Sequence, residues 1–288
     1  LIEVIENSWA ADKIHPPYHI YLKMAYHLSM EAQTGIREYT VPEPFAAILF
    51  DFQKKAVQTA TIKLNTRGGV LIGDVVGLGK TFVAAAIAKI FQDEMRHETL
   101  ILCPKNLERM WEKTRLDYEL NAKVVPVSMA HKYLLEERFY RTVIIDESHN
   151  LRNSTGQTYM AIKDYLDKHN SKVILLSATP YNKEFGDIAN QLKLFIGEDE
   201  DLGISPEIHI GGKGGVSSFK TSYPDILPTS IAAFEKSEAV DDWAELMRLY
   251  MVRRTRGFIM KHYALTDPVN GRKYLLYPDG RKSYFPAR

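Results

Sequence analysis

Short apolar runs alternate with amphipathic stretches through the middle of the chain. Val70–Ile72, Thr99–Leu102, Val124–Val127, Val143–Ile145 and Val173–Leu176 have the character of buried strands. Between them the spacing of apolar positions predicts helices over Thr81–Phe91, Leu107–Leu116 and Gln157–Leu166. Alternation of this kind predicts an α/β fold, with a mostly parallel sheet covered by helices on both faces.

The flanks read differently. Tyr18–Met30 carries a helical stripe of Ile20, Met24, His27 and Leu28, and a linker is expected over Val41-Pro42-Glu43-Pro44, where two prolines disfavour helix. Beyond Pro180, Ile188, Leu192 and Phe195 share one helical face, followed by a loose region from Glu198 to Thr229. Within that region, residues 211–218 read as a flexible connector because of their glycine and serine content. A helix is expected over Asp241–Val252. The turn signals Asp267–Gly271 and Tyr277–Gly280 bracket a small β element around Arg272–Leu276.

Chemistry concentrates at two strand ends. Gly73-Asp74-Val75-Val76-Gly77-Leu78-Gly79-Lys80-Thr81 follows an apolar strand and opens an alanine-rich helix. Unpaired N–H groups and the positive end of the helix dipole can cradle a phosphate there. Lys80 can reach the terminal phosphates and Thr81 can ligate magnesium. The first glycine stands one place earlier than the strict phosphate-loop pattern requires, and the glycine turn could merely end a strand; the Gly-Lys-Thr ending and the helix behind it favour the nucleotide reading.

Asp146-Glu147-Ser148-His149 closes the run Val143–Ile145, at the strand end where ligands bind in parallel sheets. Asp146 would hold magnesium, mostly through water, and Glu147 would orient or deprotonate the attacking water.

These residues resemble the first RecA-like lobe of superfamily 2 helicases and translocases, and within them the Swi/Snf-type ATPases. In that group the loop reads Asp-Glu-Met-Gly-Leu-Gly-Lys-Thr. Asp74, Gly77, Leu78, Gly79, Lys80 and Thr81 match it, while Val75 and Val76 depart. Valine at Val76 is similar to the bacterial RNA-polymerase-associated branch. The resemblance runs through further elements in family order, from about Phe45 to Arg256. Leu49–Gln53 resembles the adenine-reading element, which would give Gln53 the selection of ATP. Leu100–Pro104 resembles the turn beside the nucleic-acid backbone, so Pro104 and Lys105 would meet it. His149, Ser177 and Thr179 match elements coupling hydrolysis to movement, with Asn150–Asn153 as an extension of the acidic box. Met251–Arg256 resembles the segment leading towards the second lobe.

Each accessory residue also has a plain reading. Gln53 could be an exposed helix residue, Thr179 and Pro180 could simply end a strand, and Arg253, Arg254 and Arg256 could form a solvated helix end.

The resemblance implies a RecA-like P-loop NTPase lobe over 41–197, after a helical N-terminal segment over 1–40. A helical protrusion would occupy 198–256, and 257–288 would be a β tail or linker. It further implies ATP and magnesium as cofactors, double-stranded DNA as track, and a second RecA-like lobe contributing arginine fingers. Too few residues follow Arg256 for that lobe and the chain starts at Leu1, so it reads as a piece of a longer protein. Weak activity of the piece alone is expected. An upstream nuclease-like domain would point to defence or repair.

Composition bounds rather than identifies. Net charge is +1, without the strongly basic balance of a dedicated nucleic-acid binder, so the DNA reading rests on motif order. No apolar run is long enough to span a bilayer and no secretory signal opens the chain, so a cytoplasmic, nucleoid-associated protein is expected. The single cysteine, Cys103, excludes an internal disulfide. Three functional classes remain open: a duplex-tracking motor, a strand-separating helicase subunit of a restriction, repair or defence system, and a non-catalytic nucleotide-binding module.

Overall fold

All five apolar runs form strands. The computed structural model describes residues 39–285 apart from 75–77, 137, 180–184, 269, 277–279 and 281, and the expected helix over Tyr18–Met30 lies outside them. The strands are β1 (Gly69–Ile72), β2 (Thr99–Cys103), β3 (Ala122–Pro126), β4 (Thr142–Asp146), β5 (Lys172–Leu176) and β6 (Met251–Val252). They assemble in the order β3-β2-β4-β5-β1-β6, with every pairing parallel. Because the strands are buried on both faces, alternate side chains enter two different cores.

Ile72, Ile101, Ile144, Ile174 and Leu176 face one core, filled from α2 (Asp51–Arg67), α3 (Lys80–Met95) and α4 (Glu108–Asp117). Leu71, Leu102, Val143, Ile145 and Leu175 face the other, against Tyr159, Ile162 and Leu166 of α6 (Gln157–His169). A one-turn helix, α5 (Ala130–Tyr133), also adds Ala130 to that side. Helix α2 was not anticipated, although Phe52, Ala56, Val57, Ala60 and Leu64 are spaced as a helical stripe and are buried. It ends at Gly68, whose φ of 75° suits a residue without Cβ.

Three expectations need correction. The segment proposed as a linker contains a helical turn, α1 (Glu43–Ala46), with Phe45 fully buried. Pro44 sits in its first turn, where a missing N–H costs nothing. The stretch 211–218 is not a connector but belongs to two short helices, α8 (Glu207–Gly212) and α9 (Val216–Ser222), joined at Gly214 and Gly215 with φ of 90° and 93°. Ile210 and Phe219 are buried against Ala233 and give that turn a small core. Finally, the helix expected to reach Val252 stops at Tyr250 and the chain continues as β6, paired to β1.

The third core joins α7 (Gly186–Leu192) and α10 (Ile231–Phe234) to α11 (Val240–Tyr250). Asp242 of α11 accepts hydrogen bonds from the backbone N–H groups of Ile208 and His209, at 3.0 and 3.1 Å, and so caps α8 from outside. After β6 come α12 (Arg256–His262) and an antiparallel sheet of β7 (Leu265–Thr266), β8 (Lys273–Leu276) and β9 (Lys282–Tyr284). The small β element thus lies where the turn signals placed it. Among the described residues no helix is long and apolar enough to cross a membrane.

Lys63 of α2 donates to the carbonyls of Arg248 and Leu249 at the end of α11. Burial, helped by Arg67, lowers its pKa to about 8 from an ordinary 10.5. The unfolded chain therefore holds a proton that the fold has shed between those values, and stability contributed through Lys63 rises with pH from about 8 to 10.5. Urea unfolding of the wild type across that window should show a rising component that Lys63→Gln lacks; parallel curves for the two proteins would refute it.

Candidate nucleotide site

Register places the two chemical strand ends at one level. Ile72 of β1 and Asp146 of β4 both stand opposite Leu176 of β5. At about 4.8 Å per strand spacing, the root of the glycine loop and Asp146 are roughly 10 Å apart along one sheet edge. The Lys80 charge acts on Asp146, opposing the rise that burial imposes on its carboxyl.

The loop enters α3 through Gly79, whose φ of 74° is left-handed. A Cβ there would stand 2.5 Å from Nε2 of Gln53, so the position requires glycine on two counts. Lys80 Nζ donates to the Asp74 carbonyl at 3.0 Å, lying across the loop that it follows. Thr81 stands in the first turn of α3, half-buried. Val75, Val76 and Gly77 lie outside the described residues.

Three residues expected to touch nucleotide are committed to the frame of the loop. Asp74 is fully buried, and its carboxylate accepts from the backbone N–H of Arg254 at 2.7 Å, from Arg254 Nε at 3.2 Å and from Arg254 Nη2. Arg254 Nη1 donates to the Phe52 carbonyl and the guanidinium lies over the Phe52 ring. The solvated-helix reading of Arg254 is therefore wrong. Strand β6 carries it to the loop, helped by the Gly73 N–H donating to the Val252 carbonyl at 2.9 Å.

Gln53 is also buried rather than exposed: Oε1 accepts from the Phe50 N–H at 2.8 Å and Nε2 donates to the Leu78 carbonyl at 2.9 Å. The Leu78 side chain packs with Phe52, Ile259 and Leu275, which seats α12 and β8 against the loop. Arg254 is the residue that sequence reasoning placed least well. Its motif was visible, but a partner 180 positions away was not.

At the end of β4, Glu147 adopts φ 51° and ψ 47°, an uncommon conformation for a residue with a Cβ. The turn lets the Glu147 N–H donate to Asp146 Oδ1 at 2.9 Å. The indole Nε1 of Trp111 donates to the other oxygen, Oδ2, at 2.8 Å. Asp146 is 5% exposed, and burial pushes its carboxyl above the ordinary aspartate value. The Trp111 and Glu147 hydrogen bonds and the Lys80 charge oppose that rise.

Glu147 Oε2 lies 3.2 Å from His149 Nδ1, which is also 3.3 Å from Ser177 Oγ. Ser177 Oγ accepts from the Thr179 N–H at 3.2 Å, and Arg152 Nη2 donates to the Thr179 carbonyl at 2.6 Å. Ser148 Oγ donates to Gln191 Oε1 at 2.8 Å, fastening the acidic turn to α7. The structure thus brings Glu147, His149, Ser177 and Thr179 into one chain of contacts. Pro104 and Lys105 stand apart, at the turn after β2; Lys105 is exposed and paired with Glu108. Cys103 is buried beneath that turn, and burial pushes its thiol up to about 12.

Parallel strand order, glycine loop and acidic strand end together define a RecA-like P-loop fold. A solved archaeal structure, the Sulfolobus solfataricus SWI2/SNF2 ATPase core in complex with dsDNA, shares it: the TM-score is 0.52 at 18% identity, over 80% of this chain and 52% of that one. No protein-family model matches the chain. Among curated proteins, it is similar to the SWI/SNF-related matrix-associated actin-dependent regulator of chromatin subfamily A-like protein 1 of Drosophila melanogaster, with 30% identity over 52% of this chain and 22% of that protein. An uncharacterized killer plasmid pGKL-2 helicase of Kluyveromyces lactis is 36% identical over 40% of this chain and 22% of its own length. The uncharacterized ATP-dependent helicase YqhH of Bacillus subtilis is 27% identical over 49% of this chain and 28% of its own. The curated proteins that this chain resembles are named as SWI/SNF-related regulators and as helicases. The matched segment spans about a quarter of each of these curated relatives.

Proposed function

We propose that this chain is the ATP-binding lobe of a DNA-dependent ATPase that moves along double-stranded DNA. The observation that carries the reading is the shared sheet edge: Ile72, from which the chain runs on to Lys80 and Thr81 at the start of α3, stands level across β5 with Asp146, which Glu147 follows at the end of β4. Lys80 would neutralise the terminal phosphates, with backbone N–H groups of the α3 N-terminus beside it. One hydroxyl, on Thr81, and one carboxylate, on Asp146, fit a hydrated magnesium ion shared with phosphate oxygens, which takes few protein ligands. When bound, that ion would supply charge neutralisation at the phosphates.

Glu147 would accept the proton of the attacking water, and His149 beside it would hold its orientation and pass its state to Ser177 and Thr179. Asp74, Gln53, Leu78 and Gly79 shape the loop, and Gln53 retains one amide hydrogen beyond its two bonds with which to meet a base edge. Pro104 and Lys105 would lie against the DNA backbone. A second RecA-like lobe would add arginine charge at the phosphates, and hydrolysis by the 288-residue chain alone would be weak.

Lys80→Ala tests the core of this reading. Nucleotide affinity measured by calorimetry should fall by about a hundredfold, roughly 2.7 kcal/mol, as a charge-assisted phosphate contact disappears. Unchanged affinity would remove the loop from phosphate binding. Two of the relatives are named helicases, and a strand-displacement assay on the full-length protein separates duplex tracking from strand separation.

A further inference from the structure

Trp111 is, with Trp243, one of the two largest fully buried side chains among the described residues, and its one polar atom is aimed at the acidic strand end. An indole N–H only donates, and buried without an acceptor it is costly, so it requires a partner. The partner here is Asp146 Oδ2, the oxygen that the Glu147 N–H does not use. The two donors approach different oxygens and so fix the rotation of the carboxylate as well as its position. Trp111 sits in the core with Ile101, Cys103 and Ile144, so the indole cannot swing away without opening that packing.

We propose that Trp111 is a positioning residue for the metal: it holds the Asp146 carboxylate in the orientation that receives magnesium with the nucleotide. The inference rests on the ATP-binding reading above and adds a residue that none of the motifs contains. A carboxylate free to rotate about its last bond would meet the hydrated ion in several orientations, and affinity would fall. Partners that orient a metal ligand are typically worth 10–100-fold in metal affinity. Trp111 also anchors α4, the helix that begins just past the Pro104–Lys105 turn, so the same hydrogen bond ties the acidic strand end to that helix.

The test is the gain in ADP affinity on adding magnesium, measured by calorimetry on the 288-residue chain and on Trp111→Phe, first in EDTA and then with the metal. In EDTA the two should bind within about twofold, because Lys80 and the loop are untouched, while the magnesium gain should drop about tenfold in the variant. Asp146→Asn keeps an oxygen for the indole but loses the charge, and adding Trp111→Phe to it should cost nothing more. An unchanged magnesium gain overturns the proposal, as do losses in EDTA that match those with metal, or additive losses in the double variant.

A second measurement needs no change at Trp111. Of the three tryptophan indole N–H resonances, one should shift when magnesium joins the ADP complex and should move again in Asp146→Asn. Three unmoved resonances overturn the proposal. If the wild type binds no nucleotide in either condition, the ATP-binding reading fails and takes this inference with it.

Discussion

Replacing Arg254 with alanine is expected to destabilise the fold by about 3–5 kcal/mol, the cost of leaving one member of a buried ion pair without the other. Asp74 is fully buried, and the Arg254 side chain is 10% exposed, so water cannot readily replace the lost fork. The variant also strips the Phe52 carbonyl of a donor and the Phe52 ring of its cation. Lysine at this position should recover only part of the loss, since a single ammonium cannot meet both carboxylate oxygens and the carbonyl at once. Denaturant unfolding checks both variants. A loss below about 1 kcal/mol for alanine, the size of a surface pair, would mean that Asp74 finds another partner.

Glu147→Gln should lower ATP hydrolysis by about 10²–10⁴-fold in the full-length protein with DNA, the range ascribed to a positioned general base. Glutamine keeps the shape and still meets His149, but its amide accepts no proton from water. Nucleotide affinity should stay within about threefold, because the proposed phosphate contacts are those of Lys80 and the α3 N-terminus, and not of this side chain. Phosphate release and calorimetry separate the two effects. Hydrolysis that survives the change would take Glu147 out of the proton transfer and favour a module that binds nucleotide without turning it over.

The main sheet, β6 apart, was legible because its other five strands are short apolar runs and the helices between them have a buried stripe. Burial on both faces of β1, β2, β4 and β5 leaves no polar alternation to blur the reading. Helix α2 escaped notice even though its stripe is regular. The prolines at Pro42 and Pro44 were misread because a proline that breaks a helix interior is harmless in the first turn. Residues 211–215 were misread for a related reason: their four glycines suggest freedom, but Ile210 and Phe219 on either side bury enough surface to order them.

The proposed site, the glycine loop with Lys80 and Thr81 and the acidic pair Asp146 and Glu147, was legible in the sequence because a glycine loop before a helix and a strand-end carboxylate are local devices, written within a few residues. What the tertiary structure alone decided is who holds them in place. Arg254 reaches Asp74 only because the two-residue strand β6 pairs with β1, and Trp111 reaches Asp146 only because α4 packs across β2 and β4. Both contacts join residues distant in the chain through a few hydrogen-bonding groups. Such pairings leave no periodic trace, since they depend on which strands become neighbours and not on what either segment prefers by itself.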